Sequence, residues 1–252
     1  MEWEAPGIVL SVRPFGEGDV IAAVMTEAQG VHRGLAHGGA SRASAGLWQP
    51  GNLVQLRWVG RLADQLGSFT AELVHPTAAL AMDDALMLAM AVSACAVAEG
   101  ALPERAPHPR IFDGLLHLMA HLADGPALLA DLVRWEALLL ADLGYGLDLS
   151  RCAVSGAVDD LAFVSPKTAR AVSAAAAGDW AGRLLPLPPF LLGSGPNSFA
   201  GDPAQWRDGL RLTGHFLARE AFGHHHRPLP AARAALLDRV AALADSPVPT
   251  RP

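Results

Sequence analysis

The hydrophobic pattern of the chain changes at His75-Pro76, and this change constrains the fold more than any other feature. Upstream, short segments rich in Val, Ile and Leu alternate with Pro and Gly turns, a pattern typical of β-strands. Downstream, apolar residues recur with the period of an α-helix. The residue before a proline also disfavours helical backbone. The sequence therefore predicts an α+β protein with a β-barrel domain over residues 1–76 and a mostly helical domain over residues 77–252.

The first domain is predicted to hold five strands, with a short helical turn in ASAGLWQ between the third and the fourth. The strand segments are GIVLSVR, DVIAAVMT, GVHRGLA, NLVQLRWV and QLGSFTAELV. This order is that of an OB-type barrel, and several other small barrels share it.

The second domain is predicted to begin with one long helix from Thr77 to Glu99, followed by the proline-rich linker GALPERAPHP. The apolar run inside this helix is too short to span a bilayer, which favours a buried helix. Another helix is expected to begin at an Asp124 cap and to end before Gly144. Further helices are expected over 111–123, 203–221 and 229–244. Residues 147–190 are expected to form an insertion with the strand DLAFVS, and GSGPNSFAGDP a loop.

The net charge of −6 argues at first against a nucleic-acid partner, but the distribution of charge matters more than the sum. No Asp or Glu lies between Glu27 and Asp64, whereas this window contains several arginines. Single-stranded DNA is bound by such charge together with aromatic rings that stack on bases. The candidate rings are Phe15, Trp48, Trp58 and Phe69. The alternative is that these rings, Trp58 and Phe69 above all, belong to the barrel core and that the arginines are ordinary surface residues.

The residues that could bind a metal do not form a convincing site. His117 and His121 have helical spacing but no evident third ligand, and the run at 224–226 is expected in an exposed loop. Cys152 with Ser155 resembles a CxxC pair that has lost one sulfur, so no structural zinc is expected. Two cysteines in separate regions also predict no disulfide framework and favour a reducing cytoplasm.

Several segments together resemble the RecO family of bacterial recombination mediators. In the N-terminal part they are GIVLSVRPFGEGDVIAAVMTEAQG, LAHGGASRAS and LWQPGNLVQLRWVG. Further along they are LVRWEALLLADLGYGLDLSRCAVSG, LRLTGHFLARE and LPAAR. SPKTARAVS and LLPLPPFL resemble the alphaproteobacterial branch.

The resemblance implies an N-terminal OB fold, a helical domain and a small, degenerate zinc-finger-like insertion. It implies a protein that binds single- and double-stranded DNA, anneals complementary strands and assists RecA loading in gap repair. The implied protein partners are RecR and the C-terminal tail of single-strand-binding protein. No enzymatic activity and no cofactor are implied, and the location is the cytoplasm, on the nucleoid.

The resemblance also implies where the binding residues lie. The basic barrel surface would be formed by Arg13, Arg33, Arg42, Arg57 and Arg61. The groove for the acidic protein tail would involve Arg134 and Tyr145, because a cation beside an apolar slot suits an acidic, apolar-ended peptide. Tyr145 could equally be a packing residue at a helix end.

Two other functions are considered. One is a protein-interaction adaptor whose barrel binds peptides and has little affinity for DNA. The other is a hydrolase that uses Ser194 or the histidines, and it is disfavoured because Gly193-Ser194-Gly195 precedes a proline in a loop rather than joining a strand to a helix.

Overall fold

The computed structural model describes residues 1–62, 65–193 and 200–246. The chain forms two compact units, Met1–Gly125 and Pro126–Pro252. The helices that directly follow the change of hydrophobic pattern at residue 76 therefore group with the barrel. None of the described helices is long and apolar enough to cross a membrane.

The first unit contains a closed barrel of five strands. These are β1 (Glu2–Phe15), β2 (Asp19–Thr26), β3 (Gly30–Ala36), β4 (Leu53–Val59) and β5 (Ser68–His75). They follow the order β1-β2-β3-β5-β4, and β3 pairs with β5 in parallel while the other pairs are antiparallel. This is the strand order of an OB-type barrel, so the five predicted strands and their order are confirmed.

Alternation along β4 separates the core from the outer surface of the barrel. Val54, Leu56 and Trp58 point inward and are buried, whereas Gln55, Arg57 and Val59 are exposed. Two-residue periodicity places successive side chains on opposite faces, so Arg57 shares its face with Val59 and not with Trp58, as expected.

A glycine allows the chain to close over the largest core side chain. Gly67 has a φ of +61°, and a Cβ at this position would lie 2.4 Å from the Trp58 indole. The same indole donates a hydrogen bond to the carbonyl of Leu66 at 3.0 Å. Because glycine alone tolerates both the backbone angle and the close approach, the turn before β5 is fixed against Trp58.

The loop between β3 and β4 contains successive turns around Ser44 rather than a regular helix. Buried Asn52 holds the end of this loop by donating to the carbonyls of Gly46 and Leu47 at 2.8 and 3.1 Å. Its side-chain oxygen accepts from the backbone N–H of Ala78 at 3.1 Å. One side chain thus connects the loop to the first helix.

The helices of the first unit are α1 (Thr77–Leu80), α2 (Ala85–Ala101) and α3 (Pro109–Ala120), and a 3-10 turn follows at Leu122–Asp124. The prediction of one helix from Thr77 to Glu99 is wrong, because the Asp84 carboxylate accepts hydrogen bonds from the N–H groups of Leu86 and Met87 and begins a new helix. The apolar run does form a buried helix, as expected. After α2, Glu104 and Arg105 pair with Val31 at the edge of β3.

The second unit combines helices with a small sheet. Its elements are α4 (Leu128–Asp142), β6 (Leu161–Val164), β7 (Ala171–Ser173), α5 (Ala174–Ala177), β8 (Leu185–Pro186), α6 (Pro203–Phe216) and α7 (Ala231–Ala244). The sheet order is β7-β6-β8, and β6 confirms the predicted strand. Residues 194–199 of the expected loop lie outside the described residues.

The two ends of α4 differ in how well the sequence predicted them. Asp124 does not cap this helix; it ends the preceding 3-10 turn, and the N-cap position is Ala127, which makes no side-chain cap. At the other end Gly144 has a φ of +89°, and the N–H of Tyr145 donates to the carbonyl of Leu140 at 2.7 Å. The predicted C′ glycine is therefore confirmed.

A buried ion pair connects the three long helices of the second unit. Arg233 of α7 donates from Nε and Nη2 to the two carboxylate oxygens of Glu136 in α4, at 2.5 and 2.9 Å. Thr213 of α6 donates to the same carboxylate. Arg233 Nη2 also donates to the carbonyl of Leu210 at 2.7 Å. The side chains of Glu136, Thr213 and Arg233 are inaccessible to solvent.

Candidate nucleic-acid interface

Arg13 and Arg33 lie close together because both bind the same carboxylate. Glu99 of α2 accepts from Arg33 at 3.1 Å and lies 3.5 Å from Arg13. Arg33 also pairs with Glu104. The Arg13 side chain is nevertheless 73% exposed, and that of Arg33 is 30% exposed. Two of the predicted DNA-binding arginines therefore share one surface, which also carries two acids.

Arg57 lies on the outer face of β4 and is paired across the strand to β1. Its guanidinium is 2.7 Å from Glu2 and 3.7 Å from Glu4. The hydrogen bond and the charge of Arg57 lower the pKa of the Glu2 carboxyl. A groove on this face of the barrel is lined by Glu4, Arg57 and Glu72. Of the described contacts, none joins Arg57 to the other four arginines.

Arg42 and Arg61 are exposed, and neither has a carboxylate partner among the residues that the structure describes. Arg42 lies in the loop between β3 and β4. The start of this loop is fixed by Asp19, which accepts from the Gly38 N–H at 2.8 Å and pairs with the His37 ring at 2.9 Å. These bonds, with that from Gly38 the largest cause, lower the pKa of the Asp19 carboxyl. The start of the loop that carries Arg42 is therefore held in place by Asp19.

These contacts correct the expectation that the cationic window has no acidic neighbours. The window is free of acids along the chain, but closure of the barrel and the packing of α2 bring acids from distant positions to two of its arginines, Arg33 and Arg57, and to Arg13 outside it. The exposed pairs of Arg57 contribute only about 0–1 kcal/mol each. Arg33, whose partner Glu99 is 13% exposed, is held more firmly than Arg57.

Three of the four candidate aromatic rings lie in the core of the barrel. Trp48, Trp58 and Phe69 are buried in the barrel, so the core alternative is confirmed and these three rings cannot stack on bases. Phe15, at the end of β1, is 50% exposed and is the one of the four candidates that remains accessible.

Sequence analysis did not single out His32 as a buried residue. It lies against Trp3 and Trp58, with ring centroids 5.3 and 5.0 Å away, and is 4% exposed. Neither ring nitrogen has a hydrogen-bond partner among the residues that the structure describes. Burial, together with the charge of Arg105, lowers its pKa to about 4. The alternation of β3 would have predicted an inward side chain at this position.

The two residues proposed for the protein-binding groove have different environments. Arg134 donates to Asp131 at 2.6 Å and to the Phe190 carbonyl at 3.2 Å, and it lies over the Phe190 ring. Tyr145 is half-buried and stacks on His224 at 5.5 Å. The contacts with Asp131 and Phe190 give Arg134 a packing role whether or not it binds a partner.

The candidate metal ligands have other partners. His121 Nδ1 lies 2.9 Å from the His117 carbonyl, and His224 pairs with Glu220 at 3.2 Å. Among the described residues, no group of three His, Cys, Asp or Glu side chains is arranged to bind a metal ion. Ser194, the candidate nucleophile, lies outside the described residues.

Buried Cys152 lies in a turn where its sulfur accepts hydrogen bonds. The N–H groups of Ser155 and Ser173 lie 3.4 and 3.3 Å from Sγ, and the Ser173 hydroxyl lies 3.5 Å away. Hydrogen bonding from Ser155 and then Ser173 lowers the pKa of this thiol to about 6. Ser155, which occupies the position that the second cysteine of a CxxC pair would hold, thus donates its backbone N–H to the Cys152 sulfur.

Two family models cover most of the chain. The model of the recombination protein O N terminal matches residues 1–77, and that of the recombination protein O C terminal matches residues 82–228. Proteins named DNA repair protein RecO are similar over nearly their whole lengths. The one from Granulibacter bethesdensis is 60% identical over 98% of both chains, and the one from Gluconacetobacter diazotrophicus is 57% identical over 96% of both. The one from Acidiphilium cryptum is 57% identical over 95% of this chain and 96% of its own. The barrel, the helical unit and these matches together place the chain in the RecO family.

Proposed function

We propose that the protein is a DNA repair and recombination mediator that binds single- and double-stranded DNA and anneals complementary strands. It acts without enzymatic turnover, on the nucleoid in the cytoplasm, and assists RecA loading together with RecR and the tail of single-strand-binding protein. The observation that carries the proposal is the match of both family models, in order, over residues 1–77 and 82–228.

The proposed mechanism is the electrostatic positioning of DNA strands on the barrel. Arg42 and Arg61 bind phosphates directly, because no described carboxylate competes for them. Arg13, which is 73% exposed, exchanges its contact with Glu99 for a phosphate at little cost, because an ion pair with an exposed partner is weak. Arg33 is part-buried and bonded to both Glu99 and Glu104, so it contributes less. Arg57 is a weaker contributor, since Glu2 and Glu4 repel a nearby phosphate.

Salt dependence of oligonucleotide binding tests this division of the arginines. Each phosphate that a cation neutralises on a single strand contributes a slope of about −0.7 to log K against log salt concentration. Five independent arginines predict a slope of about −3.5, and Arg42 with Arg61 alone about −1.4. We expect the share of the barrel, measured by fluorescence anisotropy as the difference between the wild-type slope and that of a variant with all five arginines replaced by Ala, to lie nearer the smaller magnitude.

Two variants and a control sharpen this test. Arg42→Ala with Arg61→Ala should weaken binding and annealing, whereas Glu99→Gln should strengthen both because it frees Arg13 and leaves Arg33 with Glu104 as its one described carboxylate. Arg110→Ala removes an exposed arginine of α3 outside the proposed surface and should change neither. Annealing that is unchanged in the double variant and in Glu99→Gln would contradict the assigned surface.

The protein-binding surface is proposed at the end of α4. Tyr145 and its stacked partner His224 present a half-exposed aromatic pair to an apolar-ended peptide. Arg134 lies on α4 itself, where its bonds to Asp131 and the Phe190 carbonyl fix the position of its guanidinium. Tyr145→Ala should weaken binding of an acidic tail peptide without affecting DNA binding. We also propose that the turn at Cys152 is the remnant of a zinc-finger-like insertion.

The second candidate function is a protein-interaction adaptor. The acids around Arg57 favour it, because Glu2, Glu4 and Glu72 give the outer face of β4 a negative charge that suits a basic peptide better than DNA. No oligonucleotide binding at low salt would support the adaptor over the mediator.

A further inference from the structure

An apolar groove opens on the insertion of the second unit, beside the Cys152 turn and apart from the proposed DNA-binding arginines. It has a volume of about 360 Å³ and is lined mainly by Trp180, Val154, Val172 and Leu184, with the hydroxyl-bearing Ser165 and Thr168. Trp180 is 63% exposed and Val154 is 73% exposed. A large ring that is exposed beside an open groove contributes nothing to a core, so its environment points to a ligand.

Positive charge accompanies this ring. The guanidinium of Arg183 lies over the Trp180 indole, 5.0 Å from its centroid. Lys167, the only lysine of the chain, is exposed and directly precedes Thr168, which lines the groove. Neither cation pairs with a carboxylate among the residues that the structure describes. Three of the five barrel arginines, by contrast, are paired with acids.

We infer that this groove binds an unpaired base of single-stranded DNA, with Trp180 as the stacking surface and Arg183 and Lys167 as phosphate contacts. An aromatic ring beside cations is the combination that binds single strands without sequence preference. The Ser165 and Thr168 hydroxyls offer polar contacts to the edge of a base in an otherwise apolar slot. The charge of the rim is complementary to a phosphate backbone and not to a basic or neutral peptide, and the Ser165 and Thr168 hydroxyls suit the edge of a base better than the apolar end of an acidic peptide. The inference rests on the proposed DNA-binding function and adds a second contact site to it.

The test compares two oligonucleotides of equal length and charge, one of thymidines and one of abasic residues. The wild-type protein should bind the thymidine strand more tightly. Trp180→Ala should weaken binding of that strand about 5- to 100-fold and abolish the preference for bases, because one stacked base is lost. Trp180→Phe should retain most of the preference. Arg183→Gln should weaken binding of both strands equally.

Controls separate the inference from the proposed function. Val158→Ala changes an exposed residue, 72% accessible, that does not line the groove, and it should leave both affinities unchanged. Circular dichroism and thermal unfolding establish that each variant is folded. Photo-crosslinking of a halogenated thymidine analogue to the wild-type protein, mapped by mass spectrometry, should identify Trp180.

Two outcomes overturn the inference. If the wild-type protein binds and anneals DNA but Trp180→Ala behaves like Val158→Ala and no crosslink forms at Trp180, the groove serves another ligand, such as an apolar peptide, and the mediator function stands. If the wild-type protein binds neither strand at low salt, the inference and the proposed function fail together.

Discussion

Removal of either partner of the ion pair between Glu136 and Arg233 is expected to lower the stability of the helical unit strongly. Both side chains are fully buried, and the guanidinium donates twice to the carboxylate, at 2.5 and 2.9 Å. Removing one partner leaves the other charge buried without compensation, which costs about 3–5 kcal/mol. We therefore expect Arg233→Met or Glu136→Leu to lower the free energy of unfolding by that amount. The midpoint of thermal unfolding should fall by about 10 °C.

The double variant distinguishes the cost of an orphaned charge from the net value of the pair. Replacing both residues with apolar side chains of similar volume removes both charges, and such replacements are often nearly neutral. Glu136→Leu with Arg233→Met should therefore be more stable than either single variant, with a coupling energy of about 3 kcal/mol or more. Urea unfolding followed by circular dichroism measures these values.

Two results would refute this reasoning. Additive losses in the double variant would mean that the two side chains act through packing and not through their charges. Single losses below about 1 kcal/mol would mean that water reaches the pair and replaces the missing partner. Arg239→Ala, which changes an exposed arginine of α7, is the matched control and should be close to neutral.

Three further predictions concern buried polar groups. The pKa of His32 is lowered from 6.5 to about 4, so the unfolded chain binds a proton at a higher pH than the folded chain does. The stability from this group should be fully present above pH 6.5 and should fall by about 2 kcal/mol, after allowance for screening, as the pH drops to 4. His32→Phe should flatten this pH dependence, which urea unfolding measures. The Cys152 thiol, with a pKa of about 6, should show thiolate absorbance at neutral pH that Cys152→Ser removes, whereas buried Cys95, with its pKa raised to about 12 by desolvation, should remain a thiol. Asn52→Ala leaves the carbonyls of the β3–β4 loop and the Ala78 N–H without their partner, so it should cost about 1–3 kcal/mol and increase amide exchange in the loop.

The sequence predicted the barrel well because the signals there are local. Alternation along β4 and the turn glycines are sufficient to predict the strands. The ends of helices were predicted less well, because neighbouring residues of the same type can be equally good caps. Asp83 and Asp84 both interrupt an apolar segment, but only Asp84 caps α2. Asp124 has a side chain that commonly caps helices and lies two positions before Pro126, but it is the last residue of a 3-10 turn.

The candidate site was harder to predict than the fold because electrostatics depend on contacts between distant parts of the chain. Arg33 and Glu99 are separated by 66 positions, and nothing in either segment indicates that they meet. The buried partner of Glu136 lies 97 positions away. A count of charges along the chain therefore overestimated the free positive charge of the barrel.

Helix α2 controls the charge of the barrel surface as much as the strands do. Its Glu99 binds Arg13 and Arg33 together, so one carboxylate reduces the attraction of two arginines for DNA. Under the proposed function, a phosphate displaces Glu99 more easily from exposed Arg13 than from part-buried Arg33, and each such exchange releases less counterion than a free arginine would. We therefore expect this surface to bind DNA with moderate affinity and low sensitivity to salt. Such a balance would suit the proposed role of bringing two strands together and then releasing the product.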